Sequence, residues 1–287
     1  MSQVSPIKRL AFVVNGTKTG ASELVRSLDG MAKERGVSTS LIQSFPVPSG
    51  SLSDVDACCV VGGDGTFLSV AAEATRSQVP VIGVNRGTLG FLTTYTSDEV
   101  ESLFPSILNG EFKVQRRALL ECRAPRDHMD LALNDVVVKA ADSSRIVHVN
   151  VFADDELVTT YVCDGLIFST PTGSTAYTLS AGGPLMHPRT EAISLTPICP
   201  HTLSNRSIIF PASVRMRVEN AQPDQRLLVA VDGQRNLNIL EDGSLQVVLS
   251  DKRLLMAQKL DYSHFDVVRR KLNWSGGYAG ERKGPTD

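Results

Sequence analysis

The residues best placed to do chemistry in this chain are Gly62-Gly63-Asp64-Gly65-Thr66, directly after the apolar run Ala57-Cys58-Cys59-Val60-Val61. The apolar run reads as a buried strand. The segment Thr66 to Arg76, with Phe67, Leu68, Ala71, Ala72 and Ala74, reads as a helix. Between them lies a loop with almost no side chains, whose glycines can take positive φ and let a ligand approach the backbone closely. Strand, glycine-rich turn and helix together present N–H groups and a helix dipole to a phosphate. Gly62, Gly63, Gly65 and Thr66 are therefore the candidate cradle for a phosphate donor. Asp64 is the anomaly, because a carboxylate repels phosphate unless it does chemistry on the ligand or holds a cation. The plainer reading is a tight turn in which Asp64 caps the next helix, Asp being a favoured N-cap. Neither common phosphate loop is present. After Gly63 and Gly65 the third position of G-x-G-x-x-G is Leu68, and no Gly-Lys-Ser/Thr follows Gly16 and Gly20.

A second dense stretch runs from Asp164 to Pro184 and carries eight hydroxyl residues, with no charge after Asp164. Hydroxyls both donate and accept hydrogen bonds, which suits a sugar, an amide or a phosphate. The alternative is a polar loop between strands, with Pro171 and Gly173 fixing its turn. Third, Asn134-Asp135 interrupts the apolar segment Leu131 to Val138. Such a pair is costly to bury unless satisfied. It either joins a turn or grips a ligand, Asp135 taking hydroxyls and Asn134 an amide edge. Fourth, Val231-Asp232-Gly233-Gln234 ends a strand and, taken alone, reads as a hairpin turn. The five histidines show no H-E-x-x-H or H-x-H spacing, and Gly173-Ser174-Thr175 is not a G-x-S-x-G elbow. Metalloprotease, structural zinc and serine-hydrolase readings fall away, and His201 is expected to order its loop.

These residues need a frame. Over the first ~105 residues, strand and helix patterns alternate: Leu10 to Val14, a helix from Ser22 to Arg35 closed by Gly36, Val37 to Gln43, Ala57 to Val61, the helix from Thr66, and Val79 to Val84. That alternation predicts a parallel sheet covered on both faces. Three of its strands end in glycine-containing loops, at Asn15-Gly16, at Gly62 to Gly65 and at Asn85-Arg86-Gly87. Ligands of such sheets bind beyond the carboxyl ends of the strands. From about residue 115 the pattern changes to alternation typical of antiparallel strands, as in Val147, Val149 and Val151, Ser207 to Val218, and Arg226 to Val231. Leu237 to Leu240 and Leu245 to Leu249 flank Glu241-Asp242-Gly243, which predicts a hairpin. Helical pattern returns only at Phe265 to Leu272. The expectation is an N-terminal Rossmann-like α/β domain over 1–110, a β-rich domain over 111–261, a helix over about 262–275 and a flexible tail over 276–287.

The 287 residues carry a net charge of −2, 42 % hydrophobic and 21 % charged residues, an ordinary globular composition with no global basic surface for nucleic acid. No apolar run approaches the ~20 residues of a membrane span, and Met1 to Arg9 holds no apolar signal core. The cysteines at 58, 59, 122, 163 and 199 are odd in number and lack a C-x-x-C pair, which argues against a disulfide framework and for a reducing cytoplasm. Cys58 and Cys59 are expected in the core.

Taken together, GGDGT (62–66), VNRGTLGFLT (84–93), LNDVVV (133–138), DGLIFSTPTGSTAYTLSAGGP (164–184), LTPICPHTLSNR (195–206) and VDGQ (231–234) resemble the NAD kinases, in that family's order and across most of the chain. GGDGT alone is shared with lipid kinases and phosphofructokinases; the STPTGSTAY run with PICPHTLS is what makes the resemblance specific. It implies an α/β domain followed by an all-β domain, the last helix returning to the first. It also implies transfer of the γ-phosphoryl of ATP, or of polyphosphate, to the adenosine-ribose 2′-hydroxyl of NAD, with a divalent cation such as Mg²⁺ and a homodimer or homotetramer as the assembly. By the same resemblance Asp64 is the base, and Asn134 and Asp135 bind NAD with Gly65, Arg145 and Gln234. Asp164 and Val162 lie near the nicotinamide end, and Thr175, Ala176, Tyr177, Thr178, Leu179 and Ser180 line the adenine and ribose pockets. Metal ligands are not assigned. Two positions depart from the family pattern: Ser69, five residues after the loop aspartate, and Val162 stand where many members carry a basic residue. Both changes remove positive charge from the nucleotide region. Two rival readings are a lipid or sugar kinase, which would not need the 169–180 segment in this form, and a non-catalytic NAD(P) sensor, which would not need Asp64.

Overall fold

The computed structural model describes residues 5–87, 90–125, 128–141, 146–202, 204–222, 225–240 and 243–274. The N-terminal half contains β1 (Arg9–Val14), α1 (Ala21–Glu34), β2 (Ser38–Ile42), β3 (Ala57–Gly62), α2 (Asp64–Ser77), β4 (Val81–Asn85), the short β5 (Tyr95–Thr96) and α3 (Ser97–Leu108). β4, β3, β1 and β2 pair in parallel in that order. β3 and β4 are buried along their whole length and β1 beyond Arg9, as a sheet covered on both faces requires. Alternation divides the core. Leu10, Phe12, Cys59, Val61 and Ile82 pack with Leu28 of α1 and Phe104 of α3. Ala11, Val13, Cys58, Val60 and Val81 pack with Phe67 and Val70 of α2. Cys58 and Cys59 are thus both core residues, one on each face, and burial pushes the Cys59 thiol up to about 12.

α2 begins at Asp64, two residues before the apolar periodicity predicts. Gly63 is the N-cap, with extended backbone, and its carbonyl accepts the Phe67 N–H at 3.1 Å. Asp64 and Gly65 are themselves not apolar, so the pattern is silent there.

The C-terminal half contains β6 (Lys113–Ala124), β7 (His128–Ala132), β8 (Asp135–Ala140), β9 (Val147–Ala153), β10 (Glu156–Cys163), β11 (Gly165–Ser169), α4 (Tyr177–Ser180), β12 (Ala192–Ile198), β13 (Ile208–Pro211), β14 (Met216–Asn220), β15 (Leu227–Val231), β16 (Arg235–Leu240), β17 (Ser244–Gln258) and α5 (His264–Leu272). One antiparallel sheet has the order β13-β12-β11-β8-β15-β16. It packs against strands β6, β9, β14 and β17 through a core that includes Val136, Val149, Phe168, Leu195, Val218, Val229 and Leu245. β17 is the seam: it pairs antiparallel with β6 and β14, and its end pairs in parallel with β4 at Met256 and Ala257. One sheet therefore runs through both halves of the chain. Just past that seam Lys259 forms an ion pair with Glu99 of α3, and α5 starts with His264 edge-on to His187 at 5.3 Å.

Two sequence expectations are corrected. Ser207 to Val218 is two strands in different sheets, because the chain turns after Pro211 and the Val214 N–H donates to its carbonyl. No hairpin joins 237–240 to 245–249: β16 pairs with β15, while β17 lies in the other sheet. Alternation marks a strand but does not name its partner, and here the sandwich core claims each strand separately. β15 and β16 are joined by a hairpin turn in which Asp232 and Gly233 both have positive φ. Among the described residues no helix is long and apolar enough to cross a membrane.

Candidate active site

Asp64 stands at the first position of α2, beyond the carboxyl end of β3. Its side chain does not cap its own helix. It reaches instead to the loop after β4, where Oδ2 accepts the Phe91 N–H at 2.9 Å and Oδ1 accepts the Leu92 N–H, the Thr93 N–H and the Thr93 hydroxyl at 3.1 to 3.2 Å. The carboxylate is thereby fixed with three donors on one oxygen and a single donor on the other. Gly90 makes this approach possible, since a Cβ there would lie 2.0 Å from Oδ1. The first three N–H groups of α2, at Asp64, Gly65 and Thr66, have no helical carbonyl to bond and point with the dipole out of the helix end.

Two cavities meet at this point. One, of 580 Å³, is lined by Lys18, Gly63, Gly65, Thr66, Ser69 and Arg235 among others. The second, of 380 Å³, is lined by Lys18, Asp64, Arg86 and the glycines at 62, 63, 87 and 90. Lys18 and Gly63 belong to both. Asp64 is the one acid among the described lining residues, and Lys18, Arg86 and Arg235 are the bases. Ser69, where the family often has a cation, spends its hydroxyl on the Thr66 carbonyl. The positive charge of the site therefore comes from Lys18, Arg86 and Arg235, which sequence reading did not single out. Arg86 lay in a recognised glycine loop, but Lys18 had no signal beyond following β1. Among the described residues no three His, Cys, Asp or Glu side chains gather to hold an ion. The lining suits a Mg²⁺ that arrives on phosphate oxygens and keeps its waters better than one held in an all-protein cage.

Asn134 and Asp135 sit where the chain leaves β7 for β8 and changes sheets. The hydroxyl-rich segment folds onto them. The Thr170 N–H and the Ser169 hydroxyl donate to the Asn134 carbonyl at 2.9 and 3.2 Å, and the Thr170 hydroxyl donates to Leu133. Ser174 and Thr175 donate to Pro171 and Thr172. Four of the eight hydroxyls, at Ser169, Thr170, Ser174 and Thr175, therefore brace the loop. Tyr177 and Ser180 of α4 are exposed, Thr175, Ala176 and Leu179 are half-buried, and Thr178 is buried with its Oγ1 unpartnered.

Asp135 is 5 % exposed. Burial, and then the neighbouring Asp232 carboxylate, push its carboxyl up to about 7. The folded protein thus favours the neutral form, so this group's contribution to stability is full below the ordinary carboxylate range and is lost as pH rises through about 7. Asp135→Asn, neutral at every pH, removes that loss. Thermal melts from pH 5 to pH 8 should show the variant gaining on wild type as pH rises; a difference that stays constant with pH refutes the assignment.

The turn Asp232 to Gln234 links these pieces, its Gln234 amide donating to the Gly65 carbonyl at 2.5 Å. Asp164 and Val162 are not brought to them. Asp164 lies at the opposite end of β11 from Ser169, about 17 Å from Asp135 at ~3.3 Å per residue, and Val162 lies two residues before it in β10. Arg145 and the 276–287 tail lie outside the described residues.

A parallel α/β sheet with a cationic, glycine-lined double cavity at the carboxyl ends of its strands, and one fixed carboxylate in the smaller cavity, defines a phosphotransferase of the nucleotide-using kind. The chain belongs to the NAD kinase family. The ATP-NAD kinase N-terminal domain matches residues 47–112 and the ATP-NAD kinase C-terminal domain matches residues 133–258. An NAD kinase of Solibacter usitatus is 35 % identical over 93 % of this chain and 98 % of its own. One of Chromohalobacter salexigens is 40 % identical over 87 % and 88 %. The fold is that of an NAD kinase from Archaeoglobus fulgidus in complex with ATP, with TM-score 0.78, 26 % identity and coverage of 93 % and 100 %. It is also that of yeast NADH kinase complexed with NADH, with TM-score 0.84, 23 % identity and coverage of 96 % and 90 %.

Proposed function

We propose that this protein transfers the γ-phosphoryl group of ATP to the 2′-hydroxyl of the adenosine ribose of NAD⁺, yielding NADP⁺ and ADP. The observation that carries the reading is the position of Asp64, the one described lining carboxylate, in the smaller cavity and next to Gly63, which lines both. The α2 N–H groups with Lys18 and Arg86 hold the donor phosphates. The acceptor lies against Asn134 and Asp135, with Thr175 to Ser180 toward its adenine and ribose. Asp64 Oδ2, which among the described residues accepts the Phe91 N–H alone, has a lone pair left for the ribose hydroxyl proton. As that proton moves to Asp64, the ribose oxygen bonds to phosphorus and the bridging β–γ bond breaks. General-base help of this kind contributes about 10²–10⁴-fold, and the rest is placement and charge neutralisation. Bound on the donor, Mg²⁺ supplies part of that neutralisation. The distance of Asp164 and Val162 from Asp135 fits a homodimer or homotetramer in which those two residues serve a neighbouring copy's NAD. Five free cysteines fit a reducing cytoplasm.

The test is direct. Purified protein with NAD⁺, ATP and Mg²⁺ should accumulate NADP⁺, read by an NADP-specific dehydrogenase, and polyphosphate in place of ATP defines the donor range. Intact NAD⁺ binding with no NADP⁺ from either donor would favour the sensor reading.

A further inference from the structure

The turn Asp232-Gly233-Gln234 is a three-residue hairpin connection, and a hairpin of this kind needs nothing beyond residues that tolerate positive φ. This one does much more. The Asp232 side chain, buried completely, reaches back across the sheet. Its Oδ2 accepts the Leu133 N–H at 3.0 Å, and its Oδ1 accepts the Asn134 N–H at 2.7 Å and the Asp135 N–H at 3.2 Å. The Asp232 N–H in turn donates to the Asp135 carbonyl at 2.9 Å. Next along the chain, the Gln234 amide donates to the Gly65 carbonyl. Arg235 then holds Asp130 at 2.6 Å and the Leu131 carbonyl at 2.7 Å, with Asp232 itself at 3.6 Å.

Two residues of one turn, Asp232 and Gln234, therefore grip both loops of the site, and Arg235 ties the start of β16 to β7. A buried carboxylate is costly unless it is paired and hydrogen-bonded, and here both oxygens accept N–H groups of one short loop. No ordinary hairpin calls for that arrangement, and an apolar residue would cost the sheet less. Leu133 and Asn134 lie between β7 and β8, where the chain crosses between sheets, and without Asp232 their N–H groups and that of Asp135 lose this partner.

We propose that Asp232 and Gln234 are positioning residues that lock the 133–135 loop and the 62–66 loop into one fixed relation, so that the acceptor hydroxyl meets Asp64 and the donor phosphorus in line. The catalytic part of this statement rests on the proposed NAD phosphorylation. Asp232 acts through the Asn134-Asp135 backbone and Gln234 through the Gly65 carbonyl, next to Asp64. Small displacements between reacting groups cost up to about 10²-fold in rate.

The test uses Gln234→Ala and Asp232→Asn in the full chain. Gln234 is exposed, so its truncation should leave the melting temperature unchanged. The expected result is a kcat lowered about tenfold with the NAD⁺ dissociation constant, from calorimetry, within twofold of wild type. A direct contact to NAD⁺ would instead weaken binding and leave kcat alone, and that outcome overturns the proposal, as does an unchanged kcat. Asp232→Asn should raise KM for NAD⁺ about tenfold and leave KM for ATP unchanged; a fall in melting temperature with both KM values intact marks a purely structural role and refutes it. Hydrogen–deuterium exchange separates this proposal from the activity. Asp232→Asn should speed exchange at 133–135, and Gln234→Ala should speed it at both 62–67 and 133–135. Faster exchange in a protein that makes no NADP⁺ would leave the brace standing and the kinase reading fallen. Exchange altered at neither loop in an active enzyme would do the reverse.

Discussion

Asp64→Asn is expected to lower turnover by two or more orders of magnitude while NAD⁺ binds as before. The reason lies in how the carboxylate is held. Oδ1 is saturated by the Leu92 and Thr93 N–H groups and the Thr93 hydroxyl, whereas Oδ2, among the described residues, takes the Phe91 N–H alone. An asparagine will turn its oxygen toward the three donors and place its NH₂ where Oδ2 was. That swap removes the lone pair meant for the ribose hydroxyl and sets one donor against another at Phe91. An unsatisfied buried donor costs about 1–3 kcal/mol, so a modest fall in melting temperature should accompany the kinetic loss. The NAD⁺ contacts at Asn134 and Asp135 lie on other elements and should not change. The measurement pairs kcat from coupled NADP⁺ formation with an NAD⁺ dissociation constant from calorimetry. Turnover within tenfold of wild type removes Asp64 from the role of base, whatever happens to stability.

What the sequence disclosed and what it hid follow from the same physics. The central strands of the parallel sheet are buried on both faces, so β3 and β4 read as unbroken apolar runs and their loops stand out as interruptions. Asp64 and Asn134-Asp135 were legible for that reason: each breaks an apolar segment with groups that need partners. Partner strands were not legible. Ser207 to Val218 and the 237–249 pattern alternate correctly, yet their strands divide between two sheets, because alternation records burial and not neighbours. The hydroxyls of 169–175 looked like ligand contacts, but a hydroxyl satisfied by a backbone carbonyl and one free for a sugar have the same letter. Asp232 was hidden more deeply. An Asp-Gly pair is the ordinary currency of hairpin turns, and nothing local reveals that its carboxylate serves a loop nearly a hundred residues earlier. Lys18 was hidden likewise, since its value comes from the two cavities that only the folded loops create.

Gly173→Ala should be the most damaging single-methyl change in the acceptor half of the site. A Cβ at this position would lie 2.1 Å from the Asn134 carbonyl oxygen, 2.5 Å from its carbon and 2.6 Å from the Asn134 Cα. All three are backbone atoms, so no side chain can swing aside. Asn134 cannot retreat either. Its carbonyl is held by the Thr170 N–H and the Ser169 hydroxyl, and its N–H by the Asp232 carboxylate. The methyl group must therefore part the 170–175 turn from the 133–135 loop, by about 1 Å to regain ordinary contact, and the hydrogen bonds between them break together. Overpacking of this kind costs about 1–3 kcal/mol, with the lost hydrogen bonds added, which for a chain of this size lowers the melting temperature by several degrees. The functional effect should be selective. NAD⁺ affinity is expected to fall at least about tenfold, since a bound ligand's polar partners lose their alignment. ATP affinity should hold, because the 62–66 loop contacts neither side of the break. Gly30→Ala is the matched control, a single methyl in mid-α1 with nothing within 4 Å, and it should raise the melting temperature slightly if it changes it at all. Differential scanning fluorimetry with calorimetric titration of each nucleotide reads both effects. If the Gly173→Ala protein binds NAD⁺ as tightly as wild type, the 170–175 turn and Asn134 do not form one acceptor surface, and the reading of this half of the site fails with it.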